Sequence, residues 1–146
     1  MGEAFSPVLN LNEVRAFLER DFPLIFGLGK PFSVEEIGRG RAMLKLTPDI
    51  SHLRYGGTVS GASLFTLADL SAFVAIIAHI GPVAMTVTAS MNINYLHKPA
   101  ATSVFAEGKL LRLGKRSAVC EVSIRNDRNG PLLAHATGTF AIPAKI

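Results

Sequence analysis

The stretch 56-GGTVSGASLFTLADLSAFVAIIAHIGP-82 decides how this chain folds. Ser60 to His79 contains one carboxylate, Asp69, and no lysine or arginine, and the run stops at Gly81-Pro82, a normal helix end. This predicts a helix over about 59–79. It is apolar nearly all round, so it is either enclosed by protein or spans a membrane. Ser60, Ser63, Thr66, Ser71 and Asp69 break the apolar run, and the segments that follow alternate like strands. An enclosed helix with no membrane partner is therefore expected.

The next segment, 83-VAMTVTASMNINY-95, has period two: Val, Met, Val, Ala, Met, Ile and Tyr at odd positions, Ala, Thr, Thr, Ser, Asn and Asn at even ones. That is one long strand with an apolar and a polar face. Strand patterns near 103–113 and 117–126 are separated by Gly114-Lys115, and another near 131–142 follows Asn129-Gly130. Ala118, Cys120, Val122 and Ile124 share one inward face. Before the long helix, Phe32–Ile37 and Arg41–Leu46 read as a hairpin through Gly38-Arg39-Gly40, and Thr47–Thr58 reads as irregular. At the start, 10-NLNEVRAFLERDFP-23 reads as a short amphipathic helix capped by Asn10 or Asn12 and stopped by Pro23, with Val14, Phe17, Leu18 and Phe22 inward.

The fold class is thus α+β: one antiparallel sheet wrapped around a central helix, with a short N-terminal helix. All 146 residues read as one domain, 1–146, with its core over about 30–142. One sheet covers a helix on one side only, so a homo-oligomer, dimer or tetramer, is expected to cover the rest.

Composition excludes other classes. Hydrophobic residues make up 49% and charged residues 18%, as in a packed globular chain and not a disordered one. A single cysteine, Cys120, allows neither an intrachain disulfide nor a cysteine-based zinc site, and favours a reducing compartment. No basic stretch followed by an apolar core opens the chain, so a cytoplasmic location is expected. The opening M-G-E-A-F-S matches only a loose lipidation pattern. No metal-ligand spacing is present, and no metal is expected.

The net charge of +4 lies in the last third. Residues 1–100 carry eight Lys/Arg and eight Asp/Glu; residues 101–146 carry Lys109, Arg112, Lys115, Arg116, Arg125, Arg128 and Lys145 against Glu107, Glu121 and Asp127. A basic excess suits a phosphate-bearing partner or simply a solvated face. With two tyrosines, no tryptophan and no interleaved aromatic motif, nucleic acid is not the expected partner.

Asp69 carries the chemistry. A carboxylate in the middle of an apolar helix is either paired structurally or functional, and the residues alone leave both roles open. Ala62, Phe65, Thr66, Phe73 and Ile76 share its face. Thr58 or Ser60 can cap the helix, and the amides of Gly61, Ala62 and Ser63 fall among the unpaired donors of its first turn, fit for an anion or an oxyanion. Gly61 and Asp69 stand about 12 Å apart along the axis, eight residues at 1.5 Å each. A reacting carbonyl needs both groups at roughly 3 Å. If both act on one substrate, they come from different subunits, and the site lies at a subunit interface.

This stretch resembles the acyl-CoA thioesterases of the hotdog fold, phenylacetate-degradation (PaaI-like) type, whose helix start reads H-x-N-x-x-G-x-x-H-G-G followed by L-x-D or L-A-D. His52, Gly57 and Gly61 fall in register, Leu67-Ala68-Asp69 stands at the family's offset, and 91-MNINYLHKPA-100 is similar to the strand after the helix. The resemblance implies a dimer or tetramer with coenzyme A at the subunit interface, as part of the substrate and not as a cofactor. It implies Asp69 as nucleophile or general base, the Gly61 amide polarising the thioester carbonyl, and Thr88 as the hydroxyl that positions water. His52, Gly57 and Ser60 would lie against substrate at the helix start, and Phe65 and Phe73 would border the acyl group. The basic residues of the last third would be candidates for the coenzyme phosphates.

Two positions depart from the family pattern: Arg54 stands where it has Asn, and Ser60 where it has His. Arginine only donates, and it carries charge. It can stabilise an oxyanion, lower the pKa of Asp69, or bridge to it structurally. The competing readings are a hotdog protein that binds acyl-CoA without turnover, a dehydratase-like relative lacking its usual His at Ser60, and a nucleic-acid or membrane-surface protein.

Overall fold

The computed structural model describes residues 5–144; the opening lipidation-like pattern and Lys145 therefore fall wholly or partly outside it. The elements run α1 (Leu11–Asp21), β1 (Phe32–Gly38), β2 (Arg41–Leu46), a 3-10 turn (Ile50–His52), β3 (Leu53–Arg54), β4 (Thr58–Val59), α2 (Gly61–Ile80), β5 (Val87–Tyr95), β6 (Val104–Leu113), β7 (Ser117–Arg125) and β8 (Ala134–Ala141). Six strands form one antiparallel sheet in the order β1-β2-β6-β7-β8-β5, and β3 pairs with β4 alone.

Helix α2 packs across the inner face of this sheet. Ser60 caps it, its hydroxyl accepting from the Ser63 amide at 3.1 Å, and Gly81 ends it with a positive φ of 105°. From Ser71 to His79 every residue is buried, which is why this half needs no amphipathic pattern. Although long and apolar enough to cross a bilayer, the helix is mostly enclosed by protein. It seats closely on β6: a Cβ at Gly108 would stand 2.7 Å from the Ser71 carbonyl oxygen. The inward row of β7 (Ala118, Cys120, Val122, Ile124) is fully buried beside it. Burial pushes the Cys120 thiol up to about 12, so it is a packed core group and not a reactive one.

Helix α1 is capped by Asn10, which accepts from the Glu13 amide while Glu13 accepts from the Asn10 amide. Val14, Phe17 and Leu18 are buried, and Phe22, at the end of α1, meets Phe73 of α2 edge to face at 5.5 Å.

The long strand expected over 83–95 is shorter. Residues 83–86 form a turn, with the Val83 amide donating to Gly81 and the Thr86 amide to Val83, and β5 starts at Val87. A bulge also interrupts β5. Thr88 pairs with Phe140 and Ser90 with Thr139, leaving Ala89 as the extra residue. Thr88 is thereby on the side of the buried Phe140, with Met91 and Ile93, and not on the polar face with Ser90 and Asn92 that strict alternation assigns. The region expected to be irregular, Thr47–Thr58, holds the 3-10 turn and the small β3-β4 hairpin, closed by Gly56 and Gly57 at positive φ (93° and 74°).

Candidate active site

The bulge brings together the first pair of site residues. Asp69 is half-buried on α2, and the Thr88 hydroxyl donates to its Oδ1. Both line a cavity of about 430 Å³ whose other walls are almost wholly apolar: Phe22, Ile25 and Phe26 from the segment after α1, Leu70 and Phe73 from α2, and Ala84, Val87 and Phe140 from the sheet side. Thr86 completes the lining. Phe73, expected beside the acyl group, is here; Phe65 is not, and lies exposed on the uncovered side of α2 with Ala62 and Thr66.

The second group gathers at the start of α2. Gly61, Thr58, Val59 and Leu64 line a separate cavity of about 570 Å³ with Arg54, Tyr95, Leu96, His97, Lys98 and Pro99. The Tyr95 hydroxyl donates to the Gly61 carbonyl at 2.8 Å, and its ring lies so close that a Cβ at Gly61 would stand 3.2 Å from it. A side chain at position 61 would require the Tyr95 ring to shift by a few tenths of an ångström. Ser60 accepts from the Ser63 amide, while the Gly61 and Ala62 amides make no hydrogen bond among the described residues. They remain free to polarise an oxygen.

Arg54 is exposed and lies in this second cavity, away from Asp69; among the described residues the two make no ion pair. His52 is used structurally. Its Nδ1 accepts from the Asp49 amide at 3.0 Å, and its carbonyl accepts from the Ser60 amide, tying the 3-10 turn to the head of α2. Gly57 and Ser60 likewise shape the approach to the helix. Gly61 and Asp69 thus line separate cavities along α2.

Sequence reasoning missed Tyr95 and Lys98 at the helix start, and Phe22, Ile25 and Phe26 around Asp69. The apolar run 22-FPLIFGL-28 after the predicted helix stop was the available signal. Of the basic residues of the last third, Arg128 bridges Glu36 and Lys109 bridges Glu107, each carboxylate also paired with Arg41; the Arg125 and Arg116 side chains donate to backbone carbonyls, and Lys115 and Arg116 line a further cavity of about 580 Å³. The paired guanidinium groups hold the Glu36 carboxyl below its ordinary range. Among the described residues no group of His, Cys, Asp and Glu is arranged to hold a metal.

A long central helix packed on an antiparallel sheet is the hotdog fold, and similarity to known proteins makes this chain a thioester hydrolase of that fold. A family profile for the thioesterase superfamily matches residues 56–132, and the chain belongs to that superfamily. It is 31% identical over 137 residues to a Saccharolobus solfataricus protein provisionally described as an esterase, covering 93% of this chain and 87% of that one. A Silicibacter structure provisionally described as a thioesterase is 30% identical and superposes with a TM-score of 0.84, covering 95% of each chain. A mutant of the phenylacetic acid degradation protein PaaI from Thermus thermophilus is 27% identical, with a TM-score of 0.67 over 77% of this chain and 93% of that one. The fold is shared at 24% identity by a hypothetical thioesterase from Streptococcus pneumoniae solved with coenzyme A (TM-score 0.72, covering 90% and 98%).

Proposed function

We propose that this protein hydrolyses acyl-CoA thioesters to a carboxylic acid and free coenzyme A, in sites shared between two copies of the chain. The observation that carries this reading is the Asp69 carboxylate, held by Thr88 in the wall of a cavity whose other residues, Thr86 apart, are apolar. With Oδ1 accepting from Thr88, Oδ2 is available to the substrate. As general base it takes a proton from water, whose oxygen attacks the carbonyl carbon; the tetrahedral intermediate then collapses with cleavage of the C–S bond, and the departing thiolate receives the proton. As nucleophile it forms an acyl anhydride with loss of the thiolate, and water then opens the anhydride. In both routes negative charge builds on the carbonyl oxygen, where the Gly61 and Ala62 amides of a second copy give stabilisation that α2 of the same copy is too extended to supply.

Several features support sharing between copies. Strand β5 is an unpaired edge, and VTASMNINY has no charge and no proline. The opposite edge, β1, carries Glu35, Glu36 and a bulge, devices that discourage pairing. Beside β5, the first half of α2 leaves Ala62, Phe65 and Thr66 uncovered. The apolar cavity suits an acyl chain. Arg54 and Lys98, beside the free amides and without an acidic partner among the described residues, suit the phosphate-bearing half of the substrate. The Streptococcus pneumoniae relative solved with coenzyme A adds support for that ligand. A cytoplasmic location, where acyl-CoA pools are found, is part of the same proposal.

The test is thiol release from a panel of acyl-CoAs by the native protein and by Asp69→Asn, which keeps shape and removes charge. Turnover by the native protein, and a fall of at least about a hundredfold in a folded variant, is the expected result. Stabilisation by acyl-CoA without any thiol release supports the non-catalytic binding protein instead.

A further inference from the structure

Thr86 has a feature that the hydrolysis itself does not use. It is 3% exposed, it lines the Asp69 cavity, and its hydroxyl has no hydrogen-bond partner among the described residues, the single such buried side-chain atom there. A buried hydroxyl left unpaired costs stability, and valine would fill the same volume without that cost. Apart from Asp69 and Thr88, every other residue around this cavity is apolar, so Thr86 is its lone remaining polar group.

Its position specifies what it can read. Thr86 ends the turn that precedes β5, two residues before Thr88, so their Cα atoms stand no more than about 7 Å apart, and both residues line the cavity. One χ1 step exchanges the hydroxyl and the methyl of a threonine, so a group sealed against the wall can turn toward a ligand.

We propose that Thr86 is a specificity-determining residue that hydrogen-bonds an oxygen carried by the acyl chain. The thioester carbonyl reacts beside Asp69 and Thr88, so that oxygen belongs four or five bonds further along. The substrate class is then an acyl thioester with a ketone, ether or hydroxyl oxygen at that depth. This assignment rests on the thioesterase reading above and adds the acyl group to it. The unpaired hydroxyl in the free protein is the group that the correct substrate satisfies, and a hydrocarbon chain of the same shape leaves it unpaired.

The experiment compares 5-oxohexanoyl-CoA with its near-isostere 5-methylhexanoyl-CoA, reading the ratio of kcat/KM in the native protein, Thr86→Val and Thr86→Ser. The native protein should prefer the oxo ester by at least about tenfold, Thr86→Val should bring the ratio to about one, and Thr86→Ser should restore the preference. A native ratio of one or below, or the same ratio in native protein and Thr86→Val, overturns the assignment and leaves the thioesterase reading standing. No thiol release from these esters or from any member of the broader panel overturns both.

Discussion

The Thr88 hydroxyl donates to Oδ1 of Asp69, joining the edge strand to the central helix across nineteen residues of sequence. One oxygen of the carboxylate is thereby engaged, and the other makes no hydrogen bond among the described residues. Thr88→Val keeps the shape and removes the donor. We expect kcat to fall by about ten- to a hundredfold, less than in Asp69→Asn, with a smaller change in KM. Thiol-release kinetics on both variants check the order. Equal losses in KM and kcat for Thr88→Val would assign the hydroxyl to substrate binding instead.

The proposed sharing of sites between two copies ties activity to assembly. Asn92 and Asn94 are exposed on the uncharged edge strand, and Asn92→Lys with Asn94→Lys places like charges where two such edges would meet. Light scattering should show the double variant as a monomer where the native protein is a dimer or larger. Thiol release should fall by at least about tenfold although Asp69, Thr88 and Gly61 are untouched. A fully active monomer would sink the shared site.

Gly108 sets the distance between helix and sheet. Its missing Cβ would stand 2.7 Å from the Ser71 carbonyl oxygen, a backbone atom that moves only if α2 moves. Gly108→Ala should cost about 1–3 kcal/mol, seen as a Tm lower by several degrees. Because Asp69 lies two residues from Ser71 on the same helix, activity measured well below Tm should also decrease.

His79 links stability to pH. The Gly40 amide donates to its Nε2 at 2.9 Å, so the ring proton is on Nδ1, which donates to the Ala75 carbonyl at 2.7 Å. Burial holds its pKa below the ordinary value of 6.5. The unfolded chain therefore binds a proton that the folded chain refuses as pH drops below about 6.5. Stability from this group is complete above that pH and declines below it, toward the lower folded-state pKa. Melting at pH 7.5 and 5.5 should show the decline in native protein. His79→Gln should start from a lower Tm and show a smaller difference between the two.

Much of the fold was legible because its signals are local. Ser60 and Gly81-Pro82 bound the long helix, the absence of charge marks it as enclosed, and the alternation around Cys120 sets β7 against it. Asp69 stood out because a carboxylate is costly in apolar company. Family resemblance pointed to Thr88 only as a hydroxyl that positions water; its contact with Asp69 was not legible, since the bulge at Ala89 reverses the face that alternation assigns. Tyr95 on Gly61, and Phe22 on Phe73, come from long-range packing that no local pattern encodes. The phosphate candidates shifted for a similar reason. Counting charge pointed to the last third; there Arg128 and Lys109 are paired with carboxylates, Lys115 and Arg116 line a cavity, and Arg54 and Lys98 stand beside the head of α2.

The extra residue in β5 has a bearing on how this protein tolerates changes in length. Removing Ala89 would leave Thr88 opposite Phe140 and Ser90 opposite Thr139, a plain alternating strand with the hydroxyl still aimed at Asp69. The same excision one turn earlier, among residues 83–86, would shorten the tether that brings Thr86 and Thr88 to the cavity. Position 89 is thus a joint where a residue can be lost without disturbing the carboxylate's partner, and the segment ahead of it is a ruler that sets where Thr86 and Thr88 stand on the cavity wall.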